Sequence, residues 1–352
     1  MNETVPLVSI IVRSMARPTL AAALDSIARQ DHPRIEVVLV AAAGSAHPPP
    51  PASAGVHPVR YVASDAPLKR PHAANAGLDA ATGDWITFLD DDDVLLDGHV
   101  SGLVAVAANA PDARVVYTVA RGIQADGTAQ PFGQPFALIQ LYERNFIHLS
   151  AALVSRELVA EGCRFEAGFE IMQDWDFFLQ CAQRTRFHFE PRQTFQWNAG
   201  AGTSGAGGAG NQNDSKFARF RDAIYAKWAP QRDALIDRVA PMVEDAMTRA
   251  RAGDFHTAEA RCRDVLAVSP NDPWALNLLA MVQRSQGRLE EADVTQSLAV
   301  TVRPQDPSFV YNLGLLCRAR GDVARARRCA ERALRLAPDY EPAKKLLAEL
   351  GP

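Results

Sequence analysis

Cysteine is scarce and scattered in this 352-residue chain: Cys163, Cys181, Cys262, Cys317 and Cys329, an odd number with no CxxC pair. That fits a reducing compartment better than a disulfide framework. Long apolar runs are missing too. The first of them, residues 7–12, is too short for a signal-peptide core or a membrane span, and residues 1–6 carry Glu3 and no basic cluster. The expectation is a soluble, cytoplasmic protein, with peripheral docking at the inner face of a membrane left open. Excess positive charge is absent as well. A net charge of -4 argues against a general nucleic-acid binder. What remains is ordinary globular composition, 47% hydrophobic and 22% charged, on a chain long enough for about two domains.

The back third repeats itself. Glycines at 253, 287 and 321, alanines at 258, 292 and 326, and prolines at 270, 304 and 338 each recur every 34 residues. That period resembles the tetratricopeptide repeat, a helix-turn-helix unit. In this register Gly253, Gly287 and Gly321 end a first helix in the left-handed conformation. The alanines stand where two helices approach closely, and the prolines end the second helix. Leu276, Leu279 and Ala280 recur as Val310, Leu313 and Gly314, giving an apolar stripe. Residues 342–350 read as a polar capping helix. The array spans 241–352, after a connecting helical segment, 215–240, in which Phe217, Phe220, Ile224 and Trp228 fall at helical spacing. Such arrays resemble peptide-binding scaffolds, and they also serve in self-association.

The front, residues 1–214, alternates apolar β-branched runs with alanine-rich helical stretches. Strands are expected near 7–12, 35–40, 59–63, 85–89 and 115–119, and helices near 19–29, 72–81 and 96–108. The proline-rich residues 47–57 read as a loop. This order predicts an α/β fold, a mainly parallel sheet with helices on both faces, with ligands at the carboxyl ends of its strands.

One of those ends carries Asp90, Asp91, Asp92 and Asp93 directly after Trp-Ile-Thr-Phe-Leu. Four adjacent carboxylates repel one another unless solvent or a cation holds them. Oxygen-only ligands favour Mg²⁺ or Mn²⁺. Alone, the run also reads as a solvated acidic turn. It is preceded by Arg70-Pro-His-Ala-Ala-Asn75-Ala-Gly77 and by Gly83-Asp84, and followed far downstream by Gln173-Asp174-Trp175-Asp176-Phe177. With Val8-Ser-Ile-Ile-Val12 and Arg17-Pro18 at the start, residues 5–205 resemble the inverting family 2 glycosyltransferases of the GT-A fold. The resemblance implies that Asp90 and Asp92 form the metal- and donor-binding Asp-x-Asp, with Asp93 in support. It places Arg17, Arg70, Asn75 and Asp91 around the donor. Asp174 becomes the general base, and Trp175 and Asp176 flank it on the acceptor side. Asp176 otherwise orients its loop or caps a helix, and Trp175 otherwise packs.

The pattern breaks in three places. No carboxylate follows the second strand, where Ala41-Ala42-Ala43-Gly44-Ser45 stands, which puts uracil as the nucleotide base in question. Gln173 replaces a glutamate before Asp174 and removes a like charge that would raise its pKa. Relatives carry a histidine after the last strand, where Trp197-Asn198 stands here, and His148 and His188 do not match that position. The glycine-rich residues 200–210 read as a candidate lid. The resulting expectation is a metal-dependent hexosyltransferase. It would move sugar from a nucleoside-diphosphate sugar to a glycan, lipid-linked or protein acceptor in polysaccharide biosynthesis, with repeats that recruit acceptor or partner. A second reading is a catalytically inactive front domain whose repeats carry the function. A sugar-phosphate nucleotidyltransferase fits less well, because Ser14-Met15-Ala16 supplies no glycine-rich phosphate loop.

Overall fold

A computed structural model of the chain describes residues 5–198 and 215–351. By internal contacts it divides into two compact units. The first is Met1–Gln134 with Arg144–Lys227; the second is Pro135–Glu143 with Trp228–Pro352. The candidate lid at 200–210 lies outside the described residues.

The first unit alternates as expected. Strand β1 (Val8–Ser14) leads to helix α1 (Leu20–Ala28), β2 (Ile35–Ala41), the short β3 (Ser53–Ala54) and β4 (His57–Val62). Helix α2 (Arg70–Ala80), β5 (Trp85–Asp90), β6 (Val94–Leu95) and α3 (His99–Asn109) follow. Then come β7 (Ala113–Ile123), β8 (Ala129–Phe132), α4 (Leu138–Glu143, in the second unit), β9 (Ala152–Ser155), α5 (Arg156–Ala160), α6 (Gln173–Ala182) and β10 (Arg186–Asn198). Every residue of β1 and β2 is buried. That is why they read as near-continuous apolar runs: both faces of the sheet are covered.

The strand order is β3-β4-β2-β1-β5-β9-β7-β10-β6, with β8 beside β7. From β4 to β5 the neighbours are parallel. The expected mainly parallel sheet stops there, because β9 is antiparallel to both β5 and β7. The chain reaches β9 through α4 and a 3₁₀ turn, Leu149–Ala151, and enters this slot reversed. β10 returns parallel to β7 and pairs with β6 in the opposite sense.

The second unit is helical apart from its connections. Helix α7 (Ser215–Arg251) runs without a break through the segment expected to be a connector, with Pro230 and Pro241 inside it. Its residues from Trp228 onward belong to the second unit. Helices α8 (Phe255–Val268), α9 (Pro273–Ser285), α10 (Leu289–Val302), α11 (Pro307–Ala319), α12 (Val323–Leu336) and α13 (Glu341–Glu349) follow. Gly253, Gly287 and Gly321 have φ of 79°, 78° and 82°, the left-handed conformation expected of them. Ala258, Ala292 and Ala326 are wholly buried, and the stripe residues Leu276, Val310 and Leu313 join the repeat cores. No described helix is long and apolar enough to cross a membrane.

Candidate active site

The acidic run sits at the carboxyl end of β5, beside the carboxyl end of β1, where Arg13 and Asp90 are direct partners in the parallel register. Two nitrogens of Arg13 hold one oxygen of Asp90, Nε at 2.9 Å and Nη2 at 2.7 Å. The guanidinium lies over the buried Phe88 ring at 5.8 Å. Phe88 in turn meets Phe165 edge-on, and Phe165 stacks on Phe177 of α6 at 4.4 Å. An apolar floor thus carries both β5 and α6. Burial works against an ionised Asp90, but the charges of Arg13 and Arg70 and the Arg13 hydrogen bonds outweigh it and hold the carboxyl below its ordinary value.

The four aspartates divide their work. Ligand oxygens of Asp90, Asp92 and Asp93 all lie within 4.8 Å of one another. Asp93 is pushed well up, first by burial and then by Asp90 and Asp92. Asp92 is raised by burial and then by Asp90 and Asp91, with Arg17 pulling it back. Asp91 does something else. Its carboxylate is fully buried and accepts hydrogen bonds from Ser14 Oγ (3.0 Å), Met15 N–H (2.7 Å) and Arg17 N–H (3.2 Å), and it pairs with the Arg17 side chain. Asp91 and Arg17, both expected near the donor, are joined to each other and to the loop after β1.

Asn75, expected near the donor, makes a structural contact. Its amide donates to the Phe165 carbonyl at 2.7 Å and accepts from the Phe165 N–H at 3.0 Å, so it ties α2 to the segment leading into α6. Gly77, two residues on, packs against β1: a Cβ there would lie 2.3 Å from Ile11 Cγ2. Arg70, at the start of α2, stays with the site: burial and then the Arg13 charge lower its pKa, and Asp90, Asp174 and Asp92 lie close enough to oppose them in part.

Asp174 lies in the first turn of α6, where the helix end favours a carboxylate. Asn145 Nδ2 donates to its Oδ2 at 3.0 Å. Burial nevertheless lifts the Asp174 carboxyl above its ordinary value, with the Trp175 N–H, Arg13 and Arg70 opposing. The loss of a glutamate at Gln173 thus leaves burial as the lifting force. Trp175 and Asp176, expected on the acceptor side, are buried and packed against the helix that follows. Trp175 is 3% exposed and meets Tyr225 edge-on, and Asp176 is fully buried against Lys227 at 2.8 Å and Gln180 at 2.7 Å.

Four residues enter the site that sequence reasoning left out: Arg13, Asn145, His148 and Trp197. His148 stacks on Trp197 and lies against the Phe195 ring, within electrostatic reach of Asp90. The signal for Arg13 was available: a lone cation ending an otherwise buried strand, at the edge where such sheets bind ligands. His148 had no local signal, since its proximity depends on the reversal of β9.

Residues 9–161 match Glycosyl transferase family 2, and residues 245–294 and 307–340 match tetratricopeptide repeats. A 183-residue stretch is 30% identical to the PGL/p-HBAD biosynthesis glycosyltransferase of Mycobacterium bovis, covering 50% of this chain and 70% of that protein. The glycosyltransferase YwdF of Bacillus subtilis is 28% identical over 185 residues, 51% of this chain and 69% of its own. The protein y4gI of Sinorhizobium fredii is 32% identical over 154 residues, 42% of this chain but only 17% of its own length.

Proposed function

The chain belongs to glycosyl transferase family 2, and from that premise we propose that its first unit transfers a sugar from a nucleoside-diphosphate sugar to an acceptor hydroxyl on a glycan, a lipid-linked glycan or a protein. The observation that carries this reading is the convergence of Asp90, Asp92 and Asp93 at one strand end, under the same Arg13 and Arg70 charges that act on Asp174.

The residues present fit a divalent cation. Five carboxylates (Asp90, Asp91, Asp92, Asp93, Asp174) face three guanidiniums (Arg13, Arg17, Arg70), leaving an excess of negative charge. Burial and neighbouring carboxylates raise the pKa of Asp92 and Asp93, and Arg17, 3.7 Å from Asp92, opposes this only in part. Their all-oxygen donor set suits Mn²⁺ or Mg²⁺. Asp90, Asp92 and Asp93 would hold the ion, which when bound supplies neutralisation of the departing diphosphate. Arg13 keeps Asp90 ionised and fixes its orientation. Asp91 holds the loop after β1 in shape, and Arg70 adds positive charge beside Asp90 and Asp174.

Asp174 accepts the proton of the acceptor hydroxyl as that oxygen attacks the anomeric carbon. The new carbon–oxygen bond forms while the bond to the diphosphate oxygen breaks, and the electron pair leaves with the nucleoside diphosphate. A single displacement from the opposite side inverts the anomeric centre. Asn145 holds Asp174 in position through Oδ2. The repeats are assigned to recruiting the acceptor or a partner protein, and the enzyme to the cytoplasm.

Asp174→Asn tests the base. Donor affinity is expected to stay within about twofold while transfer falls roughly 10²–10⁴-fold, the span of general-base catalysis. Because the carboxyl is raised and must be ionised to act, wild-type transfer falls as pH drops through that raised value, and the variant loses this limb. Equal loss of donor binding and transfer would contradict the assignment.

A further inference from the structure

His148 belongs to neither the cation cluster nor the base, yet the topology delivers it to both. β9 runs antiparallel to β5, with Trp85 opposite Ser155 and Ile86 opposite Val154. Stepping back along the chain from Ser155 toward His148 therefore moves up β5 toward Asp90. Burial disfavours a charged imidazole here, and the Asp90 carboxylate lies close enough to oppose that in part.

The ring has little freedom. Trp197 stacks on it at 5.1 Å and 28°, and the Phe195 ring is 4.7 Å away. Trp197 is itself seated on Gly122, where a Cβ would come within 2.4 Å of the indole. The next residue, Asn198, donates its backbone N–H to Asp93 at 3.2 Å. The end of β10 thus braces the imidazole and a candidate cation ligand together.

Hydrogen bonding assigns the proton. The Ser150 N–H can only donate, and it meets His148 Nδ1 at 3.2 Å. Nδ1 is an acceptor, so the neutral ring carries its proton on Nε2. Burial keeps it neutral, holding its pKa down to about 4. A protonated Nε2 has no lone pair for a cation. It offers one N–H, and among the described residues nothing takes it. A neutral donor beside acids and a divalent cation suits the oxygens of a diphosphate, and it adds no positive charge to oppose the ion.

We propose that His148 is a donor-binding residue of this site, its Nε2–H bonding an oxygen of the nucleoside diphosphate, and that it is not a ligand of the cation. This rests on the transferase reading above.

The test titrates the full-length wild type, His148→Phe and His148→Gln with Mn²⁺ alone, then with UDP, GDP and dTDP at saturating Mn²⁺. Phenylalanine keeps the ring stack and removes the donor; glutamine restores a terminal N–H. For His148→Phe, Mn²⁺ affinity should stay within about twofold and diphosphate affinity should drop roughly 10–100-fold, the loss of a hydrogen bond to a charged group. His148→Gln should recover part of it. If His148→Phe does not fold, His148→Leu gives the same comparison. Mn²⁺ affinity falling in step with diphosphate affinity, or diphosphate affinity left intact, overturns the proposal. Wild type that binds none of the three diphosphates overturns the transferase reading, a failure visible before any variant is compared.

Discussion

Asn75 spends both ends of its side chain on one residue, the nearly buried Phe165. A side chain so committed tightens the approach to α6, and through it the placement of Asp174, more than it contacts a ligand. Asn75→Ala leaves the Phe165 N–H and carbonyl without these partners, so unfolding free energy should fall by about 1–3 kcal/mol. Diphosphate affinity should change little, and transfer should slow as α6 loosens. The opposite split, stability unchanged and diphosphate affinity lost, would return Asn75 to the donor. Asp91 and Arg17 teach the same lesson. Their types and spacing predict a site, and they build its walls, while Arg13 and His148 complete the interior.

Among the elements, the repeat helices were the most legible in the sequence. A period of 34 residues leaves its mark at every turn, because each glycine, alanine and proline answers a steric demand that recurs with the geometry. Capping shows where the register is imperfect. Asp254 and Asp322 cap α8 and α12 from equivalent positions, while the middle repeat has Arg288, which makes no side-chain cap and pairs with Glu259 and Glu291 instead. Asp272, 3% exposed, caps α9 through the N–H groups of Trp274 and Ala275. Asp272→Ala should therefore lower the stability of the helical transition in urea by about 1–2 kcal/mol. Arg288→Ala, which removes only partly exposed ion pairs, should cost under about 1 kcal/mol. Equal costs would show that these caps do not set repeat stability. The sheet was harder to read. Local alternation reveals strands, but the reversal of β9 follows from how the chain enters its slot between β5 and β7. Nothing in Ala152–Ser155 encodes that direction.

Across the whole molecule, the order of an α/β unit before a repeat array was legible from strand–helix alternation and period, and sugar transfer from the resemblance of the motifs. The division was not. Pro135–Glu143 lies in the first half of the sequence but groups with the repeats, where Asn271 donates to the Phe136 carbonyl at 2.7 Å. Such a long-range assignment leaves no periodic trace. The central claim, that Asp90, Asp92 and Asp93 hold a cation that enables sugar transfer, is tested most directly by diphosphate release. Full-length wild type and Asp92→Asn would be run in parallel on a panel of nucleotide sugars with Mn²⁺ or Mg²⁺, and then with chelator. The account predicts release from a donor in the panel by the wild type, abolished by chelator and reduced at least about 10²-fold in the variant. Release that survives both chelator and Asp92→Asn would contradict it.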